Sequence, residues 1–188
     1  MATGLSSSWT RLGRMLAAAS LGFAGFPFRS ATAEEDPAQW VDPYIGCAYN
    51  GHCFAAACVP FGMVQAGPDT GFLWWDYCSG YRYADTRIIG FSQTHLSGTG
   101  CGDLGDVLIM PFTGDFDLAR TNFASAYRKE TQTAEPGCYS VTLDDNHANV
   151  KIAAAGHSAI YEIDYLDAEH PQCCWAARRD GRAPCRKS

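Results

Sequence analysis

From Val59 onward the chain breaks into short runs rich in β-branched and aromatic residues, and no window after residue 33 carries a helical apolar period. The runs "VPFGMVQAG", "GYRYAD", "RIIGF", "DVLIMPFTG", "CYSVTL", "NVKIAA" and "AIYEIDY" are bounded by Gly, Pro, Asp or Asn, the punctuation of strands joined by turns. In "CYSVTL", Tyr139, Val141 and Leu143 alternate with Ser140 and Thr142, as a strand with one buried face requires. "LDDNHANV" supplies turn residues and "NVKIAA" returns, so Cys138 to Ala154 is predicted to form a hairpin. The series predicts an all-β chain, an antiparallel β-sandwich or a barrel, rather than alternating strands and helices.

The first 33 residues stand apart. Arg11 and Arg14 precede the apolar "MLAAASLGFAGF", and "ATA" at 31–33 supplies small residues before Glu34. This is the layout of a secretory signal peptide cleaved after Ala33, since a span needs about 20 apolar residues. The expected product is secreted or extracytoplasmic, with no membrane contact after cleavage. Without residues 1–33 the chain keeps 11 basic and 20 acidic residues, a net charge of −9, which argues against nucleic acid as a partner.

Nine cysteines in an exported chain favour disulfides or small buried thiols. Cys47, Cys53 and Cys58 flank His52 but lack the C-x-x-C pair of a zinc site. The composition changes late in the chain, where "CCWAARRDGRAPCRKS" shows no alternation. Residues 34–170 are therefore taken as the folded body. Residues 171–188 are taken as a basic tail, either solvated or the product of a wrong frame or misplaced splice.

The densest polar feature is "FSQTHLSGTGCGDLGD", Phe91 to Asp106. Gly100, Gly102 and Gly105 match a dinucleotide-binding spacing, but the β-like "DVLIMPF" follows where that fingerprint needs a helix. No lysine follows for a phosphate loop, and His95 stands where a nucleophile elbow around Ser97 needs glycine. His95 and Cys101 sit too close in sequence to make a good thiol–imidazole pair. What remains is a loop whose glycines permit close backbone approach and whose His95, Ser97, Thr99, Asp103 and Asp106 offer short hydrogen-bonding groups. Such a loop suits a polyhydroxylated ligand, or caps its own backbone. The nearby "FLWWDYCSGYRY" favours the ligand, because indole faces stack on sugar rings while neighbouring polar groups take the hydroxyls.

"VDPYIG", "GHCFAAACVPFGMVQAGPDT", "WWDYCSGYRYADTRIIGFSQTHLSGTGCGDLGDVLIMP" and "AEPGCYSVTL" together resemble the N-terminal domain of glycoside hydrolase family 92 across Gln39 to Tyr165. The resemblance implies an exo-acting, calcium-dependent, inverting α-mannosidase, with a β-sandwich followed by a helical (α/α)6-barrel domain and mannose bound where the two meet. It implies that Trp75 and His95 line the cleft, with Asp76, Ser97 and Thr99 close behind, and that mannose-containing glycans are the partners. The family usually has Pro-Gly where this chain has Ala55-Ala56, and small or hydroxylated residues at Cys47, Cys53 and Cys58.

In the family the general acid, the general base and the calcium ligands come from the helical domain. The expectation is therefore an incomplete N-terminal sandwich that binds substrate, with that catalytic domain missing, no catalytic or metal-ligating residue of its own, and little turnover when isolated. Inverting hydrolysis needs two carboxyl groups roughly 6.5–9.5 Å apart, and nothing in the spacing of Asp69, Asp76, Asp103 and Asp106 selects two. The alternatives are a stand-alone carbohydrate-binding or structural secreted module, and a disulfide scaffold suggested only by the cysteines.

Overall fold

The computed structural model describes residues 36–71, 75–115, 123–166, 170–177 and 186–187. The signal peptide and residues 178–185 of the tail lie outside the described residues. In chain order the strands are β1 (Gly67–Asp69), β2 (Arg87–Ile88), β3 (Gly90–Ser92), β4 (Val107–Thr113), β5 (Ser125–Ala126) and β6 (Thr133–Glu135). They continue with β7 (Cys138–Leu143), β8 (Ala148–Ala154), β9 (Ala159–Tyr165), β10 (Pro171–Ala177) and β11 (Arg186–Lys187). The only helical pieces among the described residues are single 3-10 turns at Pro37–Trp40, Trp75–Tyr77 and Lys129–Thr131.

All pairings are antiparallel, as expected. One sheet has the order β1-β3-β4-β10-β11, a second is the meander β6-β7-β8-β9, and β2 and β5 make a short ribbon. The two larger sheets share one core. Phe91, Met110, Phe112 and Cys174 from the first meet Tyr139, Val141, Leu143, Val150 and Ile152 from the second. The rings of Phe91 and Tyr139 approach to 6.4 Å between the layers. Each such large apolar side chain taken from water contributes about 1.5–3 kcal/mol, and together they make this a β-sandwich.

The expected hairpin forms as β7 and β8, with register from Cys138↔Ala153 to Leu143↔Ala148. Tyr139, Val141 and Leu143 are buried while Cys138 is exposed, so alternation placed the correct face inward. Other expectations differ. "GYRYAD" is a turn region rather than a strand, because its backbone groups are claimed one at a time. Arg82 N–H donates to Thr70 Oγ1 (3.0 Å) and Tyr83 N–H to Cys47 O (2.8 Å), with no ladder between them. "VPFGMVQAG" yields only an Ala57↔Ala66 bridge before β1, since Phe61 takes φ +59° and stands in solvent.

Seven residues that composition assigned to the tail form β10, paired with β4 along its whole length from Pro171↔Thr113 to Ala177↔Val107. The folded body thus runs on past residue 170. Pro111 sits within β4 without disturbing it. It lies past the last residue paired with β3, Ile109, and its carbonyl accepts from Asn146 Nδ2 at 3.0 Å.

Candidate functional site

The glycine-rich segment leaves β3 and returns as its antiparallel neighbour β4. Its neck is closed by an antiparallel bridge between His95 and Leu104 and by Gly105 N–H donating to Thr94 O (2.9 Å). Its tip is held from below by a residue the sequence had not singled out. His52 accepts the Gly98 N–H on its carbonyl (2.7 Å), and its Nδ1 lies 2.7 Å from Thr99 O. A carbonyl only accepts, so Nδ1 carries the proton. The Cys78 thiol donates to the same Thr99 O (2.7 Å), and burial pushes that thiol up, keeping it protonated. Gly98 takes φ +68° at the tip, a conformation that costs glycine nothing.

Trp75 begins a one-turn 3-10 helix and is 61% exposed. Two contacts brace its ring. A Cβ built on Gly100 would overlap the six-membered ring, so Gly100 is the seat of the indole. The His52 imidazole meets the ring edge to face, with centroids 5.1 Å apart and planes at 85°. Asp76 is exposed beside it, and Ser97 is exposed on the loop tip. Thr99 is half-buried, its hydroxyl donating to Cys101 O (3.0 Å) and accepting from Cys101 N–H (3.4 Å).

His95 is placed differently from the surface residues. It is 6% exposed, with Nδ1 donating to Gln65 O (2.7 Å) and Nε2 2.9 Å from Ser92 Oγ and 3.4 Å from Asp69 Oδ1. Asp69 is fully buried. Gly80, at φ +75°, leaves the room this pair needs, because a Cβ there would overlap Asp69 Oδ1 and crowd the His95 ring. The structure thus seats Trp75 on the loop that carries Ser97 and Thr99, with Asp76 the next residue in the chain, and buries His95 as part of the frame at the loop's neck. Of the carboxylates considered, Asp69 is sealed against His95, while Asp76, Asp103 and Asp106 are exposed. His52 carried no sequence signal of its own, standing among cysteines that pointed only to metal or disulfides.

The family model for the glycosyl hydrolase family 92 N-terminal domain matches residues 40–182. The chain belongs to glycoside hydrolase family 92. A secreted glycosidase of Arthroderma benhamiae, described as uncharacterized, is 28% identical over 143 residues, 72% of this chain and 18% of that protein. The family 92 α-mannosidase of Bacteroides thetaiotaomicron in complex with mannoimidazole superposes with a TM-score of 0.72 at 31% identity, over 76% of this chain and 20% of that one. A second family 92 glycosyl hydrolase structure gives 0.68 at 27%, over 77% and 21%. The chain spans about a fifth of the length of these relatives.

Calcium is the metal that the family resemblance implies. Among the described residues no three His, Cys, Asp or Glu side chains converge as a ligand set, so these residues do not fit the ion and no step is derived through it. The same observation removes the zinc reading of Cys47, Cys53 and Cys58 around His52. Cys47, Cys53, Cys58, Cys78, Cys101 and Cys138 are free thiols, and Cys174 is disulfide-bonded. Burial pushes the Cys47 thiol up to about 12, so it behaves as a small apolar core group. No helix among the described residues is long and apolar enough to cross a membrane.

Proposed function

We propose that this chain is the substrate-binding sandwich of an exported exo-α-mannosidase that removes terminal mannose from glycans with inversion. The observation that carries this reading is the exposed Trp75 ring, braced on Gly100 and His52, with Asp76 next to it in the chain and Ser97 exposed on the loop that seats it. An indole held flat presents a face on which the apolar side of a pyranose stacks, and short polar groups around it take the hydroxyls. The mannosidase described with mannoimidazole, similar to this chain over 76% of its length, supports mannose as the sugar. The apolar N-terminal segment and the secreted fungal relative support export.

In this reading the chain's residues bind and orient. The general acid, the general base and calcium belong to residues outside those described, with calcium supplying charge stabilisation where it is held. His95, buried between Gln65, Ser92 and Asp69, keeps the neck of the loop in register so that its tip stays under Trp75.

Titration with methyl α-mannoside, followed by calorimetry and tryptophan fluorescence, tests the reading. The wild-type chain is expected to bind, and Trp75→Ala to weaken binding at least about tenfold, about 1.4 kcal/mol, with an unchanged melting temperature. Absence of binding by the wild type, or indifference to Trp75→Ala, overturns it. Mannose release by the isolated chain would place an acid/base pair within it and overturn the assignment of catalysis elsewhere.

A further inference from the structure

The two pieces of chain that hold Trp75 each carry a free cysteine, and both cysteines contact one residue, Thr99: Cys78 at its carbonyl and Cys101 at its hydroxyl. Cys78 follows directly on the Trp75–Tyr77 turn, and Cys101 follows directly on Gly100, the seat of the indole. The Cys78 thiol lies 2.7 Å from Thr99 O. The Thr99 hydroxyl in turn holds both the N–H and the carbonyl of Cys101, folding residues 99–101 back on themselves. Two residues of chain reach at most about 7 Å, and this turn is more compact than that. Cys78 is buried and Cys101 exposed. Gly100 and Gly102 flank Cys101, so its backbone can turn the Cβ toward Cys78 without a neighbouring side chain to obstruct it.

We propose that Cys78 and Cys101 form a disulfide that staples the Trp75 turn to the tip of the glycine-rich loop. The oxidant is a low-molecular-weight disulfide, as found in oxidising compartments. The exposed Cys101 thiolate attacks one of its sulfurs, forming a mixed disulfide and releasing one small thiol. The Cys78 sulfur then attacks the Cys101 sulfur, the S–S bond to the small molecule breaks, and the departing thiolate takes up the Cys78 proton. In balance, two protein thiols and one small disulfide give one protein disulfide and two small thiols. The bond fixes Gly100 relative to the Trp75 turn, so the indole seat becomes covalently defined.

The distribution of roles follows from exposure. Cys78 alone is inaccessible to a bulky oxidant, and Cys101 alone would stop at the mixed disulfide. Cys47 and Cys53 are the other free pair near this region, and Cys53 is also linked to the Cys78 segment, through Ser79 Oγ donating to Cys53 O at 3.2 Å. They are the competing partners the experiment must separate.

The purified full chain, reduced and then equilibrated with oxidised glutathione, is digested without reduction and its linked peptides are identified by mass spectrometry. The expected result is a Cys78–Cys101 peptide pair, two mass units below the reduced sum, together with a melting temperature that rises on oxidation and falls back with dithiothreitol. Cys78→Ser is expected to arrest at glutathionylated Cys101, and Cys101→Ser to abolish the link and to leave only the smaller rise in melting temperature that re-forming the Cys174 disulfide gives. A wild-type chain that stays glutathionylated at Cys101, or that links Cys78 or Cys101 to Cys53 instead, overturns the proposal.

Discussion

Gly100 lacks a side chain because Trp75 occupies the space one would need. Its φ is not left-handed, so Gly100→Ala leaves the backbone unstrained and displaces only the indole. The variant is expected to bind methyl α-mannoside at least about tenfold more weakly, about 1.4 kcal/mol, while its melting temperature moves by no more than about 2 °C. Calorimetric titration beside a thermal scan checks this, and unchanged affinity would mean that the indole does not need its seat. The spacing of the glycines was legible in the sequence as backbone freedom, and at Gly98 that is what they supply. At Gly100 the reason is a contact with a ring 25 positions earlier, which no local pattern encodes. His52 was hidden for a similar reason. Its hold on Gly98 and Thr99 spans 46 and 47 positions, and its cysteine neighbours suggested a different chemistry. His95 was legible as belonging to the loop, yet its depth depended on Gln65, Asp69 and Gly80, all distant in sequence.

At the level of elements, the β7–β8 hairpin shows when a strand can be read directly. One face is fully buried and the other is not, so the period of two survives in the residue types. β10 could not be read that way, because "PQCCWAA" shows no alternation of apolar and polar residue types, and its partner β4 lies about 60 residues upstream. The hairpin's turn also binds the sheets together through Asn146, which is almost fully buried. Its Nδ2 donates to Pro111 O and to Phe123 O (both 3.0 Å), while the N–H groups of Asp145 and Asn146 donate to Ser125 Oγ (3.0 and 3.2 Å). Asn146→Ala deprives two interior carbonyls of their donor, and each such hydrogen bond is worth about 1 kcal/mol. The variant is expected to lose about 2 kcal/mol, read as a lower urea midpoint at constant slope. A loss below about 0.5 kcal/mol would show that the turn does not clamp β4.

Across the whole molecule, an ionisation pattern follows from where the tyrosines lie. Tyr44, Tyr81, Tyr127 and Tyr139 all belong to or pack on the single core, and Lys129 stands over the rings of Tyr81, Tyr83 and Tyr127 at 5.5, 4.7 and 4.5 Å. Burial pushes Tyr127 and Tyr165 up to about 12, and raises Tyr44, Tyr81, Tyr139 and Tyr161 further. A phenol whose folded pKa exceeds its unfolded value of about 10 stabilises the fold fully below pH 10, and that contribution disappears as pH rises through the folded value. Burial lowers Lys129, which acts in the opposite sense, but one lysine stands against six tyrosines. The thiols of Cys47, Cys58 and Cys78 are raised by burial in the same sense, from an ordinary value of about 8.5, so the melting temperature is expected to hold through about pH 8, to decline slightly up to pH 10 and to fall steeply between pH 10 and 12. The part of the tyrosinate absorbance near 295 nm that comes from these six phenols should rise together with unfolding rather than ahead of it, because they can ionise only once the sandwich opens; Tyr49 and Tyr83 are exposed and stand outside the set. If the six phenols titrated near pH 10 with the melting temperature unchanged, the core would be open to solvent and the two sheets would not share one interior.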